Sequence, residues 1–202
     1  MIIHLVGAPG SGKTTLAKEL EDEMFNWSIY DLDDLNRSFV EENHLVPLTR
    51  SNPQKVTKLY QKHLNEMVDS ARSSDENVLF VGINAGVLGS PPGKNLVNLQ
   101  ADYHILLNVP EALNAQRWIQ RDMPEVLDGF VSRLKEEVKE YKRLQKSEVE
   151  VVKQYKKEFS DIMRDFRPSQ RKNDIRQFKK LYLKQKYKLM TPVAFKKFIT
   201  TL

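Results

Sequence analysis

The sequence contains no cysteine, an absence that excludes disulfide bonds, thiolate metal sites and cysteine nucleophiles. This absence is compatible with a reducing compartment, so we expect the cytoplasm, with the nucleus as the alternative. The sequence also has no apolar run of 18 residues, and Met1 to Val6 is too short for a signal peptide. We therefore expect no membrane segment.

Glycine and proline are both absent between Gly129 and Pro168, where apolar residues recur at three- and four-residue steps. This pattern predicts long amphipathic helix. The pattern breaks near Ser147, where Ser147-x-x-Glu150 has the spacing of a capping box that would start a second helix. The sequence leaves a helical hairpin and one continuous helix equally open.

Basic residues are scarce in the first 130 positions, which hold 11 of the 32 lysines and arginines and 18 of the 27 acidic residues. Residues 131–202 hold the other 21 basic residues and only 9 acidic ones. Such a basic segment either binds a polyanion such as nucleic acid or forms a solvated helix face, and the sequence leaves both open.

The most specific motif is Gly7-Ala8-Pro9-Gly10-Ser11-Gly12-Lys13-Thr14, which follows an apolar run and leads into a helical pattern. It predicts a phosphate-binding loop, because the glycines at positions 7, 10 and 12 let backbone N–H groups face phosphate oxygens. Lys13 is expected to span the β- and γ-phosphates of a nucleotide, and the Thr14 hydroxyl to bind Mg²⁺. Thr15 is counted with this loop.

Short apolar runs alternate with amphipathic segments along the chain. We predict strands at Met1–Val6, Trp27–Tyr30, Val78–Ile83 and Tyr103–Val109, and a fifth at Tyr187–Met190. The alternation predicts an α/β fold with a parallel sheet of about five strands flanked by helices. We expect one domain over residues 1–202, in which residues 122–185 form a lid and a basic helical extension. Residues 36–51 are expected to be irregular.

Three carboxylates, Asp31, Asp33 and Asp34, follow the second predicted strand. Ligands of open parallel sheets gather beyond the carboxyl ends of the strands, so this cluster is expected near the phosphate-binding loop. A carboxylate there would accept a proton from an acceptor hydroxyl or hold Mg²⁺ through water. The alternative is that the cluster caps the helix that follows.

Two arginines, Arg117 and Arg121, lie four residues apart on a helix predicted to open at Pro110. Phosphoryl transfer needs cations around the transferred group, and two arginines on one helix face supply them. The alternative is an ordinary surface face with salt bridges.

These motifs together resemble the P-loop kinases that phosphorylate small molecules, nucleosides, nucleotides or nucleic-acid ends. GAPGSGKTT looks like their phosphate-binding loop, and Asp31-x-Asp33 resembles the acidic motif after the second strand of shikimate- and gluconate-type kinases. Val78 to Gly82 resembles their third strand. Residues 1–125 are also similar to the phage-type polynucleotide 5′-kinase, in which an acidic pair carries the base and an arginine-bearing helix forms a lid.

The resemblance implies a P-loop NTPase fold and transfer of the γ-phosphate of ATP, with Mg²⁺, to a hydroxyl or phosphate of a small nucleoside- or nucleotide-like molecule. It implies catalytic roles for Lys13, Asp33, Arg117 and Arg121, and metal binding by Thr14 and Asp31. Acceptor contacts are expected from Asp33, Asp34, Arg37, Arg50 and Asn84. A polynucleotide 5′-hydroxyl kinase and a non-catalytic module that senses nucleotide remain alternatives.

Two departures narrow the resemblance. Adenylate kinases carry Gly-Phe-Pro-Arg after the third strand, where this chain has Gly82-Ile83-Asn84-Ala85-Gly86, so adenylate kinase activity is not expected. No aspartate ends the third predicted strand, which makes a motor ATPase less consistent with the sequence than a kinase.

Overall fold

The computed structural model describes residues 1–90, 93–144 and 148–202, without the side chains of residues 141–152. Its strands are β1 Ile2–Val6, β2 Trp27–Asp31, β3 Asn77–Val81, β4 Tyr103–Leu107 and β5 Lys188–Met190. Its helices are α1 Lys13–Glu23, α2 Leu32–Glu42, α3 Val46–Ser51, α4 Pro53–Ser73, α5 Glu111–Leu144, α6 Glu148–Asp165, α7 Pro168–Lys184 and α8 Pro192–Ile199. The expected capping box at Ser147 and Glu150 lies outside the described part.

The five strands form one sheet in the order β2-β3-β1-β4-β5, and every neighbouring pair is parallel. β1 is therefore the central strand, with Leu5 opposite Val81 of β3 and Ile105 of β4. The predicted α/β fold with a parallel sheet of about five strands is confirmed, and each strand lies within two residues of its predicted bounds. This order places the segments that follow β3 and β4 on either side of the one that follows β1.

Alternate residues of a strand point to opposite faces of the sheet, so apolar strands present apolar side chains on both faces. Helices cover both faces and bury these side chains. Ile3 and Leu5 of β1 are fully buried in one core, formed with α1 and α8. Ile2, from the same strand, is buried in a second core that includes Tyr60 and Leu64 of α4. The strand runs are almost wholly apolar for this reason, as parallel strands buried on both faces usually are.

The expectation that residues 36–51 are irregular is wrong, since α2 and α3 occupy most of this segment. Asp31 caps α2 by accepting a hydrogen bond from the backbone N–H two residues later. The buried positions of α2 are Leu32, Asn36 and Val40, four residues apart. Because the polar Asn36 lies in the middle of this buried face, the pattern of apolar residues alone does not indicate the helix.

The chain folds into two compact units, one formed by Met1–Val109 with Phe178–Leu202 and the other by Pro110–Gln177. In the second unit α5 and α6 pack side by side, with the ring centroids of Phe130 and Tyr155 5.7 Å apart. Of the two alternatives left open, the structure therefore has the helical hairpin.

The expectation of a single domain with a lid at residues 122–185 stays a prediction. In the described part, no helix is long and apolar enough to cross a membrane.

Candidate nucleotide-binding site

The segment from Gly7 to Gly12 makes a tight turn between the end of β1 and the start of α1. Gly10 and Gly12 have φ angles of 78° and 80°, which side chains disfavour. A Cβ atom on Gly7 would lie only 2.4 Å from Ser11 Oγ, so the loop closes on a space that only glycine leaves open. The Ser11 N–H donates to Ala8 O at 3.0 Å and holds the turn. The glycine positions therefore permit a compact loop, the cradle formed by residues 7–12.

The cradle opens at the N-terminus of α1, where Gly12 is the cap residue. No side chain of the described residues caps this helix, so its first N–H groups have no acceptor of that kind. A helix N-terminus in this state attracts phosphate through its N–H groups and its dipole. Lys13, half-buried, begins the helix, and the exposed Thr14 and Thr15 follow. The contacts of Lys13 and Thr15 with nucleotide and of Thr14 with Mg²⁺ stay predictions.

Asp31 ends β2, and its Oδ1 accepts a hydrogen bond of 2.9 Å from the N–H of Asp33. The capping role that the sequence left open for the acidic cluster is therefore present. Asp34 forms an exposed ion pair with Arg37 at 2.9 Å. The metal role of Asp31 and the acceptor roles of Asp34, Arg37 and Arg50 stay predictions.

The Asp33 carboxyl has a raised pKa, and the first cause is burial of the carboxylate. The negative charges of Asp31 and Asp34 raise the pKa further, and the positive charges of Lys13 and Arg37 oppose them. The charge of Lys13 therefore acts on Asp33. β1 and β2 run parallel in one sheet, so the phosphate-binding loop and the acidic cluster both lie at the edge where these strands end. A carboxylate with a raised pKa is a better proton acceptor than an ordinary aspartate.

Asn84 lies in the segment that follows β3, and its side chain is buried. Its Nδ2 donates to Val97 O, and its Oδ1 accepts a hydrogen bond of 2.9 Å from the Tyr182 hydroxyl. Both ends of the amide thus already bind protein atoms and organise this segment. The predicted contact of Asn84 with an acceptor stays a prediction.

Two buried tyrosines near Asp33 were not identified from the sequence. Burial raises the pKa of both Tyr60 and Tyr182, and the negative charge of Asp33 raises both pKa values further. Tyr60 belongs to the apolar face of α4, and Tyr182 to that of α7, so each resembled an ordinary core residue. The signal that was available is the hydroxyl group, because a buried tyrosine hydroxyl needs a hydrogen-bond partner.

His4 of β1 is fully buried and connects β1 to the segment after β3. Its Nε2 lies 3.0 Å from Gly82 O, and its Nδ1 lies 2.7 Å from the Tyr187 hydroxyl. Burial lowers the pKa of His4 to about 4, so the ring is neutral at pH 7. A carbonyl only accepts, so Nε2 carries the proton and donates to Gly82 O, and Tyr187 donates to Nδ1. Gly82 has a φ of 126° and packs against Leu32.

Arg117 and Arg121 are exposed residues of α5 in the second unit. The Arg121 guanidinium pairs with the carboxylate of Asp122, which also accepts a hydrogen bond of 2.7 Å from Trp118 Nε1. The surface ion pair left open as an alternative is thus present for Arg121. The catalytic role of both arginines stays a prediction.

The fold and the glycine cradle define a P-loop nucleotide-binding protein with the α/β fold of the P-loop NTPases. The model of the AAA domain family matches residues 3–153, and the chain belongs to this family. P-loop domains of this kind generally bind nucleotide together with Mg²⁺. No curated protein matches the chain.

Proposed function

We propose that the protein is an ATP- and Mg²⁺-dependent phosphotransferase that moves the γ-phosphate to a hydroxyl or phosphate of a small nucleoside- or nucleotide-like molecule. The observation that supports this proposal is that Asp33, whose pKa is raised by burial, lies within range of the positive charge of Lys13, which begins the P-loop helix. A kinase site needs a cation that binds the phosphates and a carboxylate that accepts the proton of the acceptor hydroxyl. Lys13 and Asp33 have these two chemical properties at one edge of the sheet.

The residues of the loop fit a nucleoside triphosphate. Gly7 has no Cβ to fill the space beside Ser11, and α1 has no side-chain cap. In this proposal the loop amides and Lys13 bind the β- and γ-phosphates. Thr14, through its hydroxyl, and Asp31, through water, are the residues that would hold Mg²⁺. Mg²⁺, when bound, neutralises charge on the phosphates.

Asp33 acts as the general base. Its carboxylate takes the proton of the acceptor hydroxyl as the acceptor oxygen bonds to the γ-phosphorus, and the bond from that phosphorus to the bridging oxygen of ADP breaks. Lys13 stabilises the charge on the transferred group, a role that the sequence also predicts for Arg117 and Arg121. Asp34, Arg37 and Asn84 are the proposed acceptor contacts, completed by Asp33 itself.

The end of β3 supports transfer to an acceptor rather than to water. β3 consists of Asn77–Val81 and contains no aspartate or glutamate, and Gly82 follows it. P-loop ATPases use an acidic residue at that position to hold the metal. Here the carboxylates follow β2 instead, at the edge of the sheet where an acceptor would bind.

The test is to offer γ-labelled ATP to pooled nucleosides, nucleotides, sugars and 5′-hydroxyl oligonucleotides. We expect one labelled product, and Asp33→Asn should lower its rate of formation by about 10²- to 10⁴-fold with near-normal ATP binding. Asp69→Asn, an exposed carboxylate of α4, is the matched control. Full activity of Asp33→Asn would remove Asp33 from the mechanism.

The pH dependence provides a second readout of the same residue. A base must be deprotonated, so the rate should fall as pH decreases through the raised pKa of Asp33. Arg37 lowers this pKa, so Arg37→Gln should move the acid limb of kcat/KM to higher pH. An acid limb that stays in place in Arg37→Gln would argue against Asp33 as the titrating group.

A polynucleotide 5′-hydroxyl kinase is the second candidate, favoured by two exposed lysines at four-residue spacing on α7, namely Lys180 and Lys184. Binding of a 5′-hydroxyl oligonucleotide should then weaken steeply as salt increases. An oligonucleotide that neither binds nor accepts label at low salt excludes this candidate. Tight ATP binding without any labelled product would instead favour the non-catalytic nucleotide-sensing module.

A further inference from the structure

One turn of α7 binds the segments that flank the P-loop on both sides. β1 lies between β3 and β4 in the sheet, so the segments that follow those two strands lie beside the P-loop. Tyr182 of α7 hydrogen-bonds to the segment after β3, and Lys179 hydrogen-bonds to the segment after β4. The two residues are three positions apart and therefore share one face of the helix.

The Tyr182 hydroxyl holds the segment after β3 through Asn84. The tyrosine is fully buried, and its hydroxyl donates to Asn84 Oδ1 at 2.9 Å. The backbone of the same segment is closed by Val97 N–H to Asn84 O at 2.8 Å and by Gly86 N–H to Asn95 O at 2.6 Å. Without the hydroxyl, the Asn84 oxygen would be buried and lack this donor, which costs more than an ordinary hydrogen bond.

The Lys179 ammonium holds the segment after β4 in the same manner. Its Nζ donates to Asn108 Oδ1 at 2.9 Å and to Val109 O at 3.1 Å. Just before this segment, Leu107 of β4 is a neighbour of Gly7, because a Cβ added to Gly7 would lie 3.3 Å from Leu107 Cβ.

We propose that Lys179 and Tyr182 are positioning residues that keep the two segments beside the P-loop at the spacing that phosphoryl transfer requires. The proposal rests on the proposed phosphotransferase function. Neither residue is assigned contact with the reacting groups, and each acts through backbone or amide groups that it fixes. Transfer rates depend steeply on such positions, since a displacement of about 1 Å can cost on the order of 10²-fold in rate.

The first test is amide hydrogen exchange of the full-length protein carrying Tyr182→Phe or Lys179→Met. Phenylalanine keeps the ring of Tyr182, and methionine keeps most of the Lys179 stem, so each change removes mainly the polar group. We expect exchange about fivefold faster at Gly86 and Val97 in the tyrosine variant, and at Asn108 in the lysine variant. Exchange in β1 and α1 should be unchanged in both.

Lys180→Met is the matched control, because it removes a neighbouring exposed lysine of the same helix. Exchange in the two test variants that equals that of this control would overturn the proposal. A uniform increase that includes β1 and α1 would also overturn it, because it would mean a general loss of stability rather than a local loss of position.

The second test measures transfer to the acceptor identified by the labelling experiment. Both test variants should lower kcat about tenfold or more, with KM for MgATP within about twofold of wild type. Unchanged kcat, or a rise in KM for MgATP alone, would contradict positioning. If wild-type protein labels no acceptor, the phosphotransferase fails, and the exchange data then decide by themselves whether α7 holds the two segments.

Discussion

Single residues of the site owe their properties to neighbours that are distant in sequence. The pKa of Asp33 is set by partial burial, by the acidic neighbours Asp31 and Asp34, and by the opposing charge of Lys13, which lies 20 residues earlier in the chain. Tyr60 and Tyr182 lie close enough for their pKa values to respond to the charge of Asp33. The acidic motif after the second strand was enough to predict that Asp33 lies near the phosphate-binding loop. The surroundings of Asp33 could not be predicted, because the tyrosines come from helices that nothing local ties to this motif.

His4 leads to a prediction about stability and pH. Its folded pKa of about 4 lies below the ordinary value of 6.5, so the unfolded chain binds more protons between these values. Stability is therefore complete above pH 6.5 and falls as pH decreases to about 4. The expected loss attributable to His4 is about 3 kcal/mol.

The measurement is the free energy of unfolding in urea from pH 7 to pH 4. His4→Gln, which does not titrate in this range, should lose about 3 kcal/mol less over that interval than wild type does. Equal slopes for wild type and His4→Gln would show that His4 titrates normally in the folded protein.

At the scale of elements, β2 and α2 meet at one residue that the sequence could assign to either of two roles. Asp31 is the last residue of the strand and the cap of the helix. Capping and metal binding both use a carboxylate oxygen, so the residue type alone does not distinguish them. The helix that Asp31 caps was missed because Asn36 occupies its buried face, where an apolar residue is normally expected.

Replacement of Asp31 by alanine and by asparagine should separate the two roles. Asp31→Ala removes the cap and should lower the free energy of unfolding by about 1 kcal/mol, whereas asparagine caps as well as aspartate does. Asp31→Asn should therefore keep its stability to within a few tenths of a kcal/mol, by the same capping scale. If Asp31 also acts on Mg²⁺, both variants should need more Mg²⁺ for half-maximal activity.

The outcomes are distinguishable by urea denaturation and a Mg²⁺ titration of the same preparations. A wild-type Mg²⁺ requirement in Asp31→Asn would leave Asp31 with its capping role alone. Equal stability of the alanine variant and wild type would instead mean that the hydrogen bond from Asp33 N–H contributes nothing to α2.

At the scale of the whole molecule, the P-loop joins the central strand to a helix of the first unit, so nucleotide binding should stabilise that unit. MgATP at about one hundred times its Kd should raise the free energy of unfolding by about 2.7 kcal/mol. Lys13→Met should lose most of this increase, because the β- and γ-phosphates lose their cation. Lys18→Met, at an exposed lysine five residues further along α1, should retain it.

Thermal unfolding with and without MgATP gives the measurement. A stabilisation that is equal in Lys13→Met and wild type would place the nucleotide away from the P-loop. Because the chain forms two compact units, the transition should be followed with a probe in the first unit, such as Trp27 fluorescence in a Trp118→Phe background.

The sequence by itself determined the P-loop, the five strands and the parallel α/β fold. The glycine spacing and the apolar runs act over a few residues, and their physical causes are backbone sterics and burial of both sheet faces. Only the tertiary structure decided that His4 is held neutral between Gly82 and Tyr187, and that α7 binds both segments beside the P-loop. These features depend on hydrogen bonds and charges between residues up to 183 positions apart, which no local pattern encodes.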